Sequence, residues 1–358
     1  MVLSVPSWVL ALLILAPAAP AAPAAHSAPA AAASLAAVGD VMLGRGLNRS
    51  IGARGATYPF ARVRDILRQA DLTLANLECV LGQGGQPRAK RFVLRAHPSA
   101  AAALTDAGFG LLDLANNHSL DFGDAALSET LGILSSLGVP VVGAGRTFDD
   151  AYRPIFIEKS GIVFAFVAYS LSAADSLSLP EGTVALATMR EVARGIDVAH
   201  RAADYTVALF HWGFEDEHLP TERQVTYAHV AIDAGAQLVI GSHPHVLQPL
   251  EAYHDGIIAY SLGNFVFDSA ELDRRQTVIL RVTVRRNSTA DVELVPILIV
   301  DGQPQPADPV QAQGIADLLQ RLSLSRGIRM HMQHDGVLHA QVIANGRAIG
   351  ADTKQAAR

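Results

Sequence analysis

The sequence predicts an α/β fold with substantial parallel strand pairing, and three observations carry that expectation. Apolar runs of strand length alternate with segments of helical spacing from about residue 34 to residue 274. The helical segments carry their own start and stop residues. Five of the apolar runs end, on the carboxyl side, in side chains able to ligate a metal, and the crevice beyond strand carboxyl ends is where open α/β sheets build sites.

The elements follow in order. SLAAVGDVML (34–43) reads as a buried strand with a polar end, PFARVRDILRQA (59–70) as a helix, and LTLANLE (72–78) as the second strand. SAAAALTDAG (99–108) is a helix closed by Gly108, FGLLDLANNH (109–118) a third strand, and DAALSETLGILSSLG (124–138) a helix with glycine at its end. VPVVGAG (139–145) is a strand, and RPIFIEKSGIVFAFVAYS (153–170) a hairpin turning at Ser160-Gly161. MREVARGIDVAHRAA (189–203) is a helix, YTVALFHWG (205–213) a strand, and TERQVTYAHVAIDAG (221–235) a helix capped by Thr221. AQLVIGSHPH (236–245) and GIIAYSLGNFVF (256–267) are strands with polar tips. Beyond Arg275, QTVILRVTVRR and DVELVPILIV read as an antiparallel pair, followed by a helix at VQAQGIADLLQRL and weak strands near the end. The expected organisation is a signal peptide with an Ala/Pro-rich segment over 1–33, a main domain over 34–274, strands and a helix completing its core over 275–325, and a C-terminal extension over 326–358.

Composition narrows the function. Half of the 358 residues are hydrophobic, which excludes a disordered chain, and a single cysteine excludes a disulfide scaffold. Lys and Arg number 28 against 34 Asp and Glu, so no nucleic-acid partner is expected. The apolar run Trp8–Ala16, followed by small residues, reads as an export signal: too short to cross a bilayer and flanked by A-x-A cleavage sites. The expected location is therefore periplasmic or extracellular, associated with the cell envelope.

The polar tips are Asp40, Glu78, Asn117 with His118, His211, and His243 with His245. Singly, each has an ordinary reading as a turn residue, a solvated carboxylate or a packed histidine. The pair in GSHPH is the strongest, because two histidines flanking a proline leave a stiff turn in one direction. Together they form a mixed nitrogen–oxygen ligand set suited to Mn, Fe or Zn rather than Ca or Mg. Six ligands exceed one tetrahedral site and fit two divalent ions sharing a carboxylate and a water, an arrangement that generates a hydroxide nucleophile.

On these residues the chain resembles the CapA proteins of bacterial poly-γ-glutamate capsule synthesis, within the calcineurin-like metallophosphoesterase superfamily. The matching segments are GDVMLGR (39–45), ADLTLANLE (70–78), LANNHSLDFG (114–123), HWGFE (211–215), GSHPHVLQP (241–249) and AYSLGNFVF (259–267). The resemblance implies a four-layer sandwich of two mixed β-sheets flanked by helices. It implies Asp40 and His245 on a first ion, Glu78 bridging, Asn117, His211 and His243 on a second ion, and His118 as general acid. Two departures from the general superfamily pattern are shared with CapA proteins: Met42 stands where a histidine is usual, which thins the first ion's ligands, and Glu78 replaces an aspartate.

The function this implies is an exported metal-dependent protein in poly-γ-glutamate synthesis, export or attachment, by dinuclear-metal hydrolysis. The alternatives are an exported phosphoesterase on small esters and a non-catalytic, metal-dependent polymer-binding component. The expected partners are an anionic polymer or phosphate-containing substrate and membrane capsule-synthesis proteins. Arg45 is a candidate anchor for an anionic group, and Trp212 either stacks on substrate or packs. Arg88, Lys90, Arg91 and Arg95 read as a solvated basic loop, Asp121 as a residue organising the turn before the next helix, and Asn264 as a hydrogen-bond partner of a site residue.

Overall fold

A computed structural model describes residues 31–172, 184–344 and 347–348. Residues 1–30 of the segment expected over 1–33 to be a signal peptide with an Ala/Pro-rich stretch, and the last residues of the C-terminal extension, lie outside the described residues.

The first half runs β1 (Ala32–Val41), α1 (Arg45–Arg54), α2 (Arg64–Leu67), β2 (Leu72–Leu77), β3 (Val80–Leu81), β4 (Arg95–Ala96), α3 (Ala101–Ala107), β5 (Phe109–Asp113), α4 (Gly123–Ser136) and β6 (Val141–Val142). It continues with α5 (Phe148–Tyr152), β7 (Ile155–Lys159), β8 (Ile162–Ser170), α6 (Met189–His200), β9 (Tyr205–His211), α7 (Glu222–Asp233), β10 (Leu238–Ser242), β11 (Leu250–Tyr253), β12 (Gly256–Ala259) and β13 (Asn264–Val266). The remainder is α8 (Leu272–Arg275), β14 (Gln276–Arg285), β15 (Ser288–Val300), β16 (Gln303–Pro306), α9 (Pro309–Ser323), β17 (Ile328–Met332), β18 (Leu338–Ala344) and β19 (Arg347–Ala348).

Two mixed sheets result. The larger has the order β17-β18-β15-β14-β1-β2-β5-β6, with β13 on β1, β16 on β15 and β19 on β18; the smaller has the order β11-β12-β10-β9-β8-β7. β1, β2, β5 and β6 pair in parallel, as do β8, β9, β10 and β12. Antiparallel β14 and β15 extend the first sheet, and β7 and β11 close the edges of the second.

The apolar runs sort by alternation, because successive side chains of a strand face opposite ways. From β8, Phe164, Phe166 and Ala168 join β9's Val207 and Leu209 and β1's Leu35 and Ala37 in a core between the sheets. Ala165, Val167, Tyr169 and Phe210 face the other way, onto Val192 and Ile196 of α6 and Ala228 and Ala231 of α7. On the far side of the larger sheet, Ala36, Val38, Ala75 and Leu112 pack with Leu104 of α3 and Leu127 and Leu134 of α4. Helix, sheet, sheet and helix make the four-layer α/β sandwich expected.

Local signals hold where they were read. Gly108 closes α3 in the left-handed conformation, Thr221 and Gln224 form a reciprocal capping box on α7, and Ser160 and Gly161 both take positive φ between β7 and β8. Helices α1 and α5 fall in stretches the sequence reading left unassigned, the strand read over 139–145 is only β6, and two further elements differ. The helix read over 59–70 breaks into a 3-10 turn at Tyr58–Phe60 and the short α2, and the carbonyl of Leu67, the last residue of α2, accepts from Thr73 Oγ1 at 2.9 Å. The single strand read over 256–267 is two, β12 in the smaller sheet and β13 in the larger, separated by Gly263 at φ 71. The C-terminal extension joins the core through residue 342: β17 and β18 pair, β18 pairs β15, and Ile328, Met330 and Leu338 are buried.

Candidate metal centre

The site residues sit at the carboxyl ends of β1, β2, β5, β9 and β10, five parallel strands drawn from both sheets. Asp40 is the penultimate residue of β1 and lies in register with Asn76 of β2; Glu78 follows β2 directly. Asn117 and His118 occupy the turn after β5, and His211 ends β9 in register with Ser242, the last residue of β10. His243 and His245 follow at φ 94 and φ 60, left-handed values that disfavour residues with a Cβ. Such strain persists where surroundings over-determine it. Here the Asp216 N–H donates to the Pro244 carbonyl (2.9 Å) and the His243 N–H to Asp40 Oδ2 (3.3 Å).

These side chains converge into two groups that share one residue. Ligand atoms of Asp40, Glu78 and His245 lie within 4.8 Å of one another, and so do those of Glu78, His211 and His243. Asp40, Glu78 and His211 are fully buried. Both carboxylate oxygens of Glu78 and Nδ1 of His243 are buried without a hydrogen-bond partner. A carboxylate enclosed in this way is costly unless a cation meets it.

Neighbours orient the rings. Ser242 Oγ donates to the Phe210 carbonyl (3.2 Å) and so accepts from His211 Nδ1 (2.9 Å). That tautomer leaves the His211 Nε2 lone pair facing Asn117 Oδ1 at 3.0 Å, two acceptors with room for a shared cation. His245 Nδ1 meets Asn264 Oδ1 at 2.9 Å, which turns Nε2 toward Glu78 Oε1 at 3.8 Å. Asn264 thus contacts a site residue as expected. Fixing a ligand's tautomer from its other nitrogen is the usual task of residues around a metal. His118 Nδ1 meets Asp121 Oδ2 at 2.7 Å, and its Nε2 lies 3.6 Å from Glu78 Oε1.

The electrostatics show the same crowding of like groups. Burial, and then the neighbouring Asp40, push the Glu78 carboxyl well above its ordinary range. Burial, reinforced by His243, holds His211 well below the usual histidine value, and burial with His245 brings His243 down to about 3. For His245, burial lowers the value but the Glu78 and Asp40 carboxylates outweigh it and raise it to about 9. The neutral imidazoles of His211 and His243, the oxygen donors, and His245 held charged by the Glu78 and Asp40 carboxylates where a cation would otherwise sit, fit one or two divalent cations of the Mn, Fe or Zn kind.

Some residues take other positions. Trp212 is fully buried, stacks on Phe210 with ring centroids 4.5 Å apart, and donates its indole N–H to the Tyr260 carbonyl at 2.9 Å, so it packs and does not reach substrate. Arg45 lies on a cavity of about 290 Å³ that also reaches His118 and His245, and it pairs with Asp268 at 3.4 Å. Met42 turns away from the ligands, its sulfur accepting from the Gly44 N–H at 3.1 Å. Asp121 does not cap α4, whose N-cap has no side-chain bond; its carboxylate accepts from the Leu94 N–H and from His118 instead.

The sequence reading passed over Asn76 and Asn116. Asn76 Nδ2 donates to Asp40 Oδ1 (2.8 Å) and lies 3.3 Å from His211 Nδ1, while its carbonyl accepts from Asn116 Nδ2 (2.9 Å). Asn116 Oδ1 in turn accepts from the His118 N–H (2.9 Å). This amide ladder bonds Asp40 to the His118 turn and passes beside His211. Its sequence signal is Asn76, a polar residue two positions before Glu78 on a strand that is apolar apart from Thr73. A third His/carboxylate group, Asp291, Glu293 and His339, lies on β15 and β18, and there Arg281 already pairs with Glu293 at 2.6 Å.

Comparison with known proteins places these residues in a wider group. Residues 34–269 match the family described as bacterial capsule synthesis protein PGA_cap. The chain is 32% identical over 283 residues to the capsule biosynthesis protein CapA of Bacillus anthracis, covering 75% of this chain and 68% of that protein. It is 33% identical over 274 residues to the PGA biosynthesis protein CapA of Bacillus subtilis, covering 75% and 72%. A probable polyglutamine synthesis accessory protein of Mycobacterium tuberculosis is 27% identical over 312 residues, covering 80% and 82%.

Proposed function

Because this chain belongs to the bacterial capsule synthesis protein PGA_cap family, we propose that it is an exported, metal-dependent protein acting in the synthesis, export or attachment of a poly-γ-glutamate polymer by dinuclear-metal hydrolysis. The observation that carries the reading is Glu78, common to both ligand groups and with neither oxygen hydrogen-bonded.

Asp40, Glu78 and His245 would hold the first ion, and Glu78, Asn117, His211 and His243 the second. Divalent ions held by these residues would supply an acidified water and charge stabilisation for the group attacked. The chain's own residues do the rest. Asn76 and Asn264 steady the ligands on the two sides, and burial of the carboxylates excludes bulk water. His118 is the proposed general acid: Asp121 holds its Nδ1 and leaves Nε2 toward the reacting space. With a net charge of -6 the protein repels a polyanion on average, so the ions and Arg45 are the proposed contacts for its carboxylates.

Export is proposed from the sequence signal, and the pairing of Ala32–Leu35 with β14 supports cleavage before Ala32, since a later cut would remove sheet residues. Among the described residues no helix is long and apolar enough to cross a membrane. The test is incubation of purified protein with poly-γ-glutamate, with and without a chelator, following polymer length and new amino ends. Metal-dependent shortening supports the reading. Metal-dependent hydrolysis of p-nitrophenyl phosphate esters with the polymer untouched favours the small-ester phosphoesterase, and metal-dependent retention of intact polymer favours the binding component.

A further inference from the structure

The densest run of cations, Arg88 to Arg95, runs from the loop after β3 into the first residue of β4, beside the metal centre, and its members have different tasks. Arg95 donates to the carbonyls of Gln83 and Gly84 and lays its guanidinium over the Phe122 ring, 3.5 Å from the centroid. Arg91 lies over Phe92. Lys90 turns inward, its side chain only 20% exposed. Its ammonium donates to the Asn117 carbonyl at 2.8 Å, meets Asp121 Oδ1 at 2.5 Å and lies 3.4 Å from His118 Nδ1.

The Asp121 side chain is fully buried and already accepts from the Leu94 N–H (2.6 Å) and His118 Nδ1 (2.7 Å). A buried carboxylate is retained where a cation and hydrogen bonds compensate its lost hydration, and Lys90 is the cation that meets it. One ammonium therefore clamps two points of the turn that carries Asn117 and His118. The contacts recorded for the Lys90 ammonium are all to protein groups of this turn.

We propose that Lys90 is a positioning residue for the second half of the metal centre, tying the Asn117 carbonyl to the Asp121 carboxylate and so aiming the Asn117 amide and the His118 ring. The metal half of this inference rests on the dinuclear reading above; the aim of the His118 ring does not.

The experiment uses the full chain, as wild type, Lys90→Met and Lys90→Arg. Mn²⁺ alone is titrated into chelator-treated protein with free ion followed by electron paramagnetic resonance, and histidine ring nitrogens are recorded by NMR in the metal-free protein. Lys90→Met is expected to weaken the second Mn²⁺ step roughly 10–100-fold, the usual effect of losing a residue that orients a ligand, with the first step unchanged. In the metal-free spectra His118 should move and His245 should not, and Lys90→Arg should restore most of both. Unchanged Mn²⁺ steps together with an unmoved His118 in Lys90→Met overturn the inference. Equal loss of both steps with His245 and His118 moving alike also overturns it, since that is general loosening. If wild type binds no Mn²⁺, the dinuclear reading fails, and the ring signals alone decide the role of Lys90.

Discussion

At the scale of single residues, His118 and Asn117 are neighbours with different expected tasks. His118 presents Nε2 to the reacting space and is tied at Nδ1, whereas Asn117 Oδ1 faces His211. His118→Ala is expected to keep full metal content and lose about 10²–10⁴ in rate, less so on a substrate whose leaving group needs no proton. Asn117→Ala should lower second-ion content and rate together. Metal analysis beside turnover separates the two, and His118→Ala losing metal would contradict the assignment. Asp113, at the end of β5, is not itself a candidate ligand and offers a second test. Burial, and less so the nearby Asp40, raise its carboxyl to about 7, while the Ala115 N–H donates to its Oδ1 at 2.7 Å. The folded protein thus keeps a proton that the unfolded chain releases, and stability falls as pH rises from about 4 through about 7. Asp113→Asn retains the acceptor and removes the charge. In chelator-treated protein its stability relative to wild type should rise between about pH 5 and about pH 8 in denaturant titrations; a constant difference would contradict the account.

Among the elements, the strands that end in ligands were the most legible part of the sequence, because an apolar run that stops at a lone Asp, Glu or His exposes both its period and its tip. The four-layer arrangement came with the family resemblance and not from periodicity, since fully buried strands such as β8 show no polar alternation. What escaped was long-range. GIIAYSLGNFVF is apolar throughout, so nothing local marks its passage from one sheet to the other; the marker is Gly263, meaningful only through its contact with Gly39. The Asp40 N–H donates to the Gly263 carbonyl at 3.0 Å, and a Cβ on Gly39 would stand 1.9 Å from that oxygen. Gly39→Ala must therefore separate β1 from the crossing segment next to Asp40. It is expected to destabilise by about 1–3 kcal/mol, the range for forced overpacking, and to reduce first-ion content. Wild-type stability in denaturant titration would show that the two backbones are not held as described. Within the basic loop over 88–95, Arg91 is exposed as a solvated loop implies, but Lys90 turns inward, for the same reason: its partners lie nearly thirty positions away.

For the whole molecule, the two sheets meet so that carboxyl ends from each face one crevice, and no single sheet supplies the full ligand set. Asp40, Glu78 and Asn117 come from the larger sheet, and His211, His243 and His245 from the smaller. The C-terminal strands matter at this scale as well, because β18 lengthens the larger sheet and buries Leu338 with Ile328 and Met330 between the layers. Sequence composition bounded the class, the strand tips supplied the candidate ligands that the fold brings together, and the folded chain added the amide ladder and Lys90 beside them. Everything proposed for function depends on Glu78 being shared by two ions across that crevice. The most direct measurement is the number of Mn, Fe or Zn ions per chain in wild type and Glu78→Gln, by elemental analysis after equilibration with each metal. The account expects about two ions per wild-type chain and a marked loss in Glu78→Gln, whose amide cannot bridge. A wild type that takes up no ion, or a Glu78→Gln variant that retains both, would contradict it.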